Sequence, residues 1–262
     1  MAGKETSAIR ELTRDGRKKI IQLGYKAGHT GAHFAPSLSL VDVLTVLFTE
    51  VMDREKDLFV LSKGHGGLGY YVAMYEARMI TEEQLLTFED NGGDFPGQPS
   101  RSPENGITYS SGSLGLGLGY AAGRAQVEPE RRLFCLLGDG ELNEGSNWES
   151  AMYAGFHKLA NLTAIVDYNK MQSDGASEAI LEFDIDGAFR AMGWQTCSCD
   201  GHDPEAIYQA LTTETDGRPL AVIAHTVKGK GISFMENEQA WHHNHLSEAQ
   251  YQQALAELEE EA

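Results

Sequence analysis

The chain has 262 residues, 41% of them hydrophobic, and its 39 acidic residues outnumber its 21 Lys and Arg residues to give a net charge of −18. So acidic a protein is unsuited to the phosphate backbone of nucleic acids or to an anionic membrane surface, and no apolar run reaches the roughly 18 residues of a membrane span. Three cysteines are too few for a disulfide framework, so we expect a reduced, soluble, cytoplasmic protein.

Hydrophobic periodicity and turn residues predict helices and strands that alternate along the chain. In chain order we expect helices over residues 6–26 and 38–50, a strand over 57–61, a helix over 67–78, a capping box at 81–84, a glycine-rich loop over 91–112, a strand over 133–137, a helix over 146–158, strands over 162–166 and 194–199, a helix over 204–211, a strand over 220–227 and a last helix from Ser247. Apolar strands that alternate with helices indicate a parallel sheet covered on both faces. We therefore expect a single α/β domain over residues 1–262 with a doubly wound, mostly parallel sheet.

A candidate ligand site follows the predicted strand at residues 133–137, where the sequence reads Gly138-Asp139-Gly140. Ligands bind at the carboxyl edge of a doubly wound sheet, and the helix that follows offers free N–H groups to an anion. Asn169 ends the next strand, 30 residues after Asp139, and a right-handed crossover brings both strand ends to one edge. Carboxylate and amide oxygens suit Mg²⁺ or Ca²⁺, so we expect a cation that anchors a diphosphate.

Other interpretations of these polar residues are weaker. Asp139 alone is more typical of a helix N-cap, but its glycine neighbours and its spacing to Asn169 favour a metal ligand. Residues 115–123 are spaced like a dinucleotide fingerprint but follow no buried strand. Residues 197–202 contain two cysteines and a histidine without the second pair that a structural zinc site needs. The basic residues over 10–19 are expected to form a solvent-exposed helix face.

Gly-Asp-Gly followed about thirty residues later by Asn resembles the thiamine diphosphate motif, and residues 138–149 resemble the transketolase family in particular. Further similar segments occur in family order over nearly the whole chain, at residues 32–39, 62–65, 112–117, 167–175, 226–231 and 241–242. The resemblance implies the thiamine-diphosphate-binding fold. It is to the N-terminal, diphosphate-binding subunit of a split transketolase, whose pyrimidine-binding and C-terminal domains are expected on a partner chain.

The resemblance also implies roles for individual residues of this sequence. The oxygen ligands of Mg²⁺ or Ca²⁺ are expected to be the side chains of Asp139 and Asn169 and the backbone carbonyl of Met171. The residues expected to contact thiamine diphosphate are His65, Gly112, Leu114, Gly140, Glu144, Asn169 and His242. Those expected to act in catalysis are His33, His65, His242 and Glu144, with Glu149 in the same buried network as Glu144.

The resemblance further implies that His29, His33, Gln98 and Lys63 contact the sugar substrate. His29 and His33 compete for one family position; His29 has the local Gly-His-x-Gly match, but we favour His33 for its spacing to the following helix. The family commonly has His where Gln98 stands, and Gln cannot take up a proton as His can, so we expect the donor to be handled differently. Lys63 lies in a glycine-rich segment of an acidic chain, where a substrate phosphate is favoured over a plain surface charge.

The implied function is the transfer of a two-carbon ketol unit from a ketose or ketose phosphate donor to an aldose acceptor, with thiamine diphosphate as electron sink. We expect phosphorylated or otherwise anionic sugars as substrates. The chain alone is expected to be inactive and to work with a C-terminal transketolase subunit in an α2β2 assembly. Two alternatives stay open. One is a related ketol transferase or synthase acting on a modified, for example sulfonated, sugar, as Gln98 suggests; the other is a non-catalytic cofactor-binding subunit.

Overall fold

The computed structural model describes residues 3–260, with side chains from residue 6 onward. The strands are β1 Leu58–Leu61, β2 Leu133–Gly138, β3 Leu162–Tyr168, β4 Gln195–Asp200 and β5 Leu220–His225. The α-helices are α1 Gly3–Lys26, α2 Phe34–Leu38, α3 Val41–Val46, α4 Gly67–Glu76, α5 Glu82–Leu85, α6 Gly117–Val127, α7 Gly145–Phe156, α8 Ser177–Ile180, α9 Ile185–Ala191, α10 Pro204–Leu211 and α11 Glu248–Glu260. Within residues 3–260, no helix combines the length and the apolarity that crossing a membrane requires.

The strands pair in parallel in the order β1-β2-β3-β5-β4. Parallel neighbours need crossover connections, and here helices supply them on both faces of the sheet. Gly138 at the end of β2 lies opposite Asp167 of β3, so the two strands end side by side. The predicted doubly wound α/β fold is confirmed.

Alternate residues of β2 face two separate hydrophobic cores, which explains why the whole strand is apolar. Phe134 and Leu136 pack into the core that also contains side chains from α1, α3, α4, α10 and α11. Leu133, Cys135 and Leu137 pack into the opposite core, against α6, α7 and α9. Because both faces are covered, each strand end is available only at an edge of the sheet.

The single helix predicted over residues 38–50 is wrong, because the structure divides it. One helix, α2, ends at Leu38, α3 begins at Val41, and a π-helical turn follows at Leu47–Val51. Between α2 and α3, the hydroxyl of Ser39 donates to the backbone carbonyl of Pro36 at 3.1 Å and to Asp167 Oδ2 at 2.7 Å. A tertiary contact to the sheet edge therefore overrides the local helical pattern.

The basic side of α1 is not wholly solvent-exposed, which corrects the prediction for residues 10–19. Arg17 is only 7% exposed and forms an ion pair with Asp42 of α3. Asp42 also accepts a hydrogen bond from Nδ1 of His202 at 2.7 Å. The packing of α3 against α1 buries this arginine, and the buried carboxylate neutralises it.

Candidate active site

A cavity of about 180 Å³ lies at the carboxyl ends of β2 and β3. Most of the residues that the sequence assigned to cofactor, metal, catalysis and substrate line it, namely Lys63, His65, Leu114, Asp139, Gly140, Asn169, Met171 and His242. The sequence did not single out Gln172, whose side chain packs against Gly140. A Cβ on Gly140 would lie 3.0 Å from Cγ of Gln172. This cavity, here named the edge cavity, gathers residues from seven separate segments of the described chain.

Asp139 is 6% exposed and faces hydrogen-bond donors but no cationic side chain within ion-pair distance among the described residues. Its Oδ1 accepts from the backbone N–H of Gly140 at 2.8 Å, and its Oδ2 accepts from the backbone N–H of Lys170 at 2.6 Å. Burial, followed by the negative charge of Asp167, raises the pKa of Asp139 to about 6. A buried carboxylate without a neutralising partner fits a bound cation, which would favour its ionised form.

Oxygen donors suited to a hard cation lie beside Asp139. The side-chain oxygen of Asn169 accepts from the backbone N–H of Met171 at 3.1 Å, which fixes the turn after β3. The Met171 carbonyl accepts from Nζ of Lys228 at 3.0 Å, as does the Gln172 carbonyl. In the described residues no group of three or more His, Cys, Asp and Glu side chains is arranged to hold a metal. A site here would combine one carboxylate with amide and carbonyl oxygens, as Mg²⁺ accepts when phosphate oxygens complete its shell.

His33, His65 and His242 form a cluster, named here the histidine cluster, of which His65 and His242 line the edge cavity. The ring centroids of His33 and His65 are 6.0 Å apart, those of His33 and His242 5.6 Å, and those of His65 and His242 5.0 Å. Burial, more than the neighbouring charges, lowers the pKa of His33 to about 4 and that of His242 to about 3. Nδ1 of His242 is buried without a hydrogen-bond partner. The cluster therefore presents neutral imidazoles, one with a free ring nitrogen, to a ligand.

The structure separates the two histidines that compete for the N-terminal position. The side chain of His29 is exposed, and its ring lies 6.1 Å from that of His245, outside the histidine cluster. His33 is brought to the cluster by a short antiparallel bridge between Ala32 and Asn244. Gly31 allows this bridge: its φ is +71°, and a Cβ there would lie 2.5 Å from the Asn244 carbonyl oxygen.

Two buried carboxylates hold the segments around the edge cavity, and the sequence pattern did not reveal either of them. Asp167 pairs with Lys63, whose Nζ lies 2.5 Å from Oδ2. Glu141 accepts from the Ser62 hydroxyl at 2.5 Å, from the backbone N–H of Gly115 at 3.0 Å and from that of Gly138 at 3.1 Å. A charged residue close to the end of an apolar strand needs a partner, but the sequence does not identify which residue that partner is.

Lys63 is therefore neither a plain surface charge nor a freely mobile cation. It lines the edge cavity, yet it is 1% exposed and committed to Asp167. Burial opposes the charge on Asp167, but Lys63 and the surrounding hydroxyl groups outweigh burial and hold its pKa below the ordinary value.

The remaining predicted residues lie around the loop that leads to α6. A Cβ on Gly112, where φ is +140°, would lie 2.9 Å from Oε1 of Gln98, and a Cβ on Gly64 would lie 3.0 Å from the same atom. Gln98 is thus adjacent to the segment that carries His65. Glu144 and Glu149 are both exposed on the chain by itself, and their shared buried network stays a prediction for the assembly.

The molecule is thus a doubly wound α/β domain, a class of protein that binds ligands at the carboxyl edge of the sheet, where this cavity lies. Residues 3–259 match the family profile described as transketolase, thiamine diphosphate binding domain. The chain is 38% identical to one of the subunits of apulose-4-phosphate transketolase from Actinobacillus succinogenes, over 94% of each chain. It is 36% identical to 6-deoxy-6-sulfo-D-fructose transketolase subunit SqwG from a Clostridium species, over 98% of this chain and 96% of that one. The chain belongs to the transketolase family, in which it corresponds to the N-terminal subunit of the split enzymes.

Transketolases that are not split match along part of their length. The chain is 35% identical to mouse transketolase over 96% of its own length, which is 42% of the mouse protein. The structure of transketolase from Leishmania mexicana superposes with a TM-score of 0.86 at 26% identity, over 96% of this chain and 41% of that one. The chain thus spans less than half the length of these relatives.

Proposed function

We propose that this chain binds thiamine diphosphate through a divalent cation and, together with a partner subunit, transfers a two-carbon ketol unit between sugars. The observation that carries the proposal is the convergence of the Asp139 carboxylate, the Asn169 amide and the Met171 carbonyl beside the edge cavity. These three oxygens would hold Mg²⁺ or Ca²⁺. Gly140, whose N–H follows the end of β2, would lie against the diphosphate.

Thiamine diphosphate supplies, when bound, the electron sink for the two-carbon unit. The contribution of this chain is to orient the substrate and to hold protons near it. Neutral imidazoles of His33, His65 and His242 accept or donate hydrogen bonds at sugar hydroxyl groups, and they stay uncharged at neutral pH because burial lowers the pKa of each of them. Lys228 lines the edge cavity and would be the cation that faces phosphate groups, since Lys63 is paired with Asp167. Gly112, Leu114 and Glu144 complete the cofactor-binding side in the proposal.

The partner in this proposal is a C-terminal transketolase subunit, and the assembly is α2β2. Two matched relatives are each named as one subunit of an apulose-4-phosphate transketolase, which supports the existence of such a partner. An exposed apolar face on α6 and α7 supports its location; its side chains are Leu116 52%, Val127 71%, Met152 52%, Tyr153 44% and Phe156 80% exposed. Large apolar side chains clustered on a surface mark an interaction site.

The sugar donor is an anionic ketose, either phosphorylated or carrying another acidic group. Relatives whose names specify apulose 4-phosphate and 6-deoxy-6-sulfo-D-fructose support a modified donor as a second candidate, and Gln98 beside Gly64 and Gly112 is the feature of this chain that favours it. A reducing, cytoplasmic location belongs to the proposal, supported by the three free cysteines.

The test is a ketol-transfer assay of the chain with and without its partner subunit, using a ketose phosphate and a sulfonated ketose as alternative donors. We expect activity only from the complex. Asp139→Asn is expected to weaken thiamine diphosphate affinity by at least about tenfold, since even residues that only support a metal ligand are worth about 10–100-fold. The matched control, Asp174→Asn, changes an exposed carboxylate in the segment after β3 and is expected to leave affinity unchanged. Full activity of the Asp139→Asn complex would contradict the proposal and favour a non-catalytic subunit.

A further inference from the structure

A second cavity, of about 410 Å³, lies beside α1 and is lined by residues other than those of the edge cavity. This volume is within the range of small-molecule sites, about 300–1,000 Å³. Among the described residues, four cationic side chains line it, namely Arg10, Arg14, Arg17 and Lys230; three of them are ion-paired, Arg10 with Asp203, Arg17 with Asp42 and Lys230 with Glu236. Such a concentration of positive charge is unusual in a chain whose net charge is −18, so we name it the basic cavity.

Two of these guanidinium groups have donors without acceptors. Arg17 is 7% exposed; its terminal nitrogen is bound to Asp42, but its Nε is buried without a partner. Nε of Arg14 is likewise buried without a partner, and no described side chain forms an ion pair with Arg14. A buried donor left unsatisfied costs about 1–3 kcal/mol. Each of these two guanidinium groups therefore keeps one N–H without an acceptor oxygen, at an Nε atom that solvent does not reach.

The wall of the basic cavity holds Arg17 in a fixed position. His202 donates from Nδ1 to Asp42 at 2.7 Å and accepts at Nε2 from the backbone N–H of Val227 at 2.8 Å, so both ring nitrogens have a partner. Gly231 has a φ of +91°, and a Cβ there would lie 3.4 Å from Nε of Arg17 and 3.0 Å from its Cδ. A larger residue at this position would press against the Arg17 side chain, so Gly231 allows the close packing that holds Arg17 in place.

We propose that the basic cavity binds a small anion that carries a phosphate group, with Arg14, Arg17 and Lys230 as its charged donors. Guanidinium groups donate in a planar fork that matches phosphate oxygens, and the hydroxyl-bearing Ser7 and Thr13 also line the cavity. The carboxylate of Glu11 lines it as well and opposes anion binding. Removal of this negative charge is therefore expected to strengthen phosphate binding.

This site is connected to the edge cavity by one short segment. Val227 contacts His202 at the wall of the basic cavity, Lys228 lines the edge cavity, and Lys230 lines the basic cavity. The site stands independently of the proposed transketolase activity, because none of its donors lines the edge cavity.

The experiment titrates the full chain with inorganic phosphate by calorimetry, in the presence of saturating thiamine diphosphate and Mg²⁺ so that phosphate does not compete for the edge cavity. We expect Arg14→Gln and Lys230→Gln each to weaken phosphate binding by about tenfold, as charge-assisted bonds are lost. Glu11→Gln is expected to strengthen it. The control Arg190→Gln alters a guanidinium that is 61% exposed on α9 and is expected to change nothing.

A second titration with glycerol 3-phosphate identifies the source of the phosphate group. Tighter binding of the ester points to a phosphorylated metabolite, and tighter binding of the free ion points to phosphate itself; both results keep the site. Thermal unfolding of each variant shows that it is folded. No heat of binding with either probe up to about 10 mM, a range well above typical metabolite affinities, or an affinity that Arg14→Gln and Lys230→Gln leave unchanged, would overturn the proposal.

Discussion

Lys63 and Asp167 form a buried ion pair directly behind the edge cavity: Nζ and Oδ2 are 2.5 Å apart, and each side chain is 2% exposed. Asp167 lies at the end of β3 and also accepts from Ser39 and Thr226. The pair thus ties the segment that carries His65 to β3, the strand that leads into the Asn169 turn.

Removal of one member of this pair is expected to destabilise the chain strongly. Lys63→Met leaves the Asp167 carboxylate buried and unpaired, which costs about 3–5 kcal/mol. The matched control is Lys56→Met, whose ammonium group is 76% exposed and pairs with Asp53, so it is expected to cost no more than about 1 kcal/mol. Urea denaturation measures both. Equal effects of the two substitutions would show that the buried pair has no special role.

Glu76 is expected to make stability depend on pH. Burial, partly offset by Lys19, raises its pKa from 4.5 to about 7, and its Oε1 has no hydrogen-bond partner. Since the unfolded chain ionises this group more readily, its stabilising contribution is complete below pH 4.5 and is lost as pH rises through about 7. Glu76→Gln is therefore expected to stabilise the chain at pH 8 by about 1 kcal/mol, a value reduced for partial solvent screening.

This prediction is checked by urea denaturation of the parent chain and of the Glu76→Gln variant, each at pH 4.5 and at pH 8. The stabilisation by Glu76→Gln should be much smaller at the lower pH, where the carboxyl group of the parent chain is protonated in the folded state and only half ionised in the unfolded state. Glu83→Gln, which changes an exposed carboxylate at the start of α5, is the control. A stabilisation of the same size at both pH values would contradict ionisation as the cause.

His33 and His29 are expected to differ sharply in their effect on ketol transfer by the complex. His33→Ala removes a ring that faces His65 and His242, and loss of a proton-handling group costs about 10²–10⁴-fold in rate. His29→Ala is expected to change kcat/KM by less than about twofold, because its exposed ring lies outside the cluster. Steady-state kinetics of ketol transfer give kcat/KM for both variants. Equal losses of kcat/KM in the two variants would mean that the histidine cluster does not contact the substrate.

The apolar face on α6 and α7 is expected to be covered by the partner subunit. Phe156→Asp places a charge on a side chain that is 80% exposed, so it should spare the fold and prevent assembly. Leu181→Asp, at a side chain 56% exposed outside α6 and α7, is the matched control. Sedimentation velocity of the mixed subunits measures complex formation. Normal assembly of the Phe156→Asp variant would show that the partner subunit binds elsewhere than on this face.

Much of the fold follows from the sequence because the signals are local. The run Leu133–Gly138 is apolar at every position before its glycine, which predicts a strand buried on both faces. The capping box at Thr81 and Gln84 also forms as predicted, with both of its hydrogen bonds. The interruption at Ser39 was not predictable, since its cause is Asp167, a residue distant in sequence.

In the candidate site too, some features follow from local sequence signals and others depend on residues distant in sequence. Asp139 and Asn169 could be brought together from sequence because a parallel crossover has fixed geometry. Glu141, Asp167 and the Lys228 contact to Met171 depend on which side chains meet across separate segments, and one sequence contains no signal for these pairings. The burial of Arg17 was missed for the same reason, because the pattern of α1 alone does not reveal Asp42.

The central claim is that one divalent cation binds between the ends of β2 and β3 and anchors thiamine diphosphate. The most direct measurement is the anomalous diffraction of Mn²⁺, used in place of Mg²⁺, in crystals of the two-subunit complex with thiamine diphosphate. We expect a single peak about 2.0–2.3 Å from an oxygen of Asp139, from the Asn169 amide oxygen and from the Met171 carbonyl. Bound cofactor with no peak there, or with the metal on other residues, would contradict the claim.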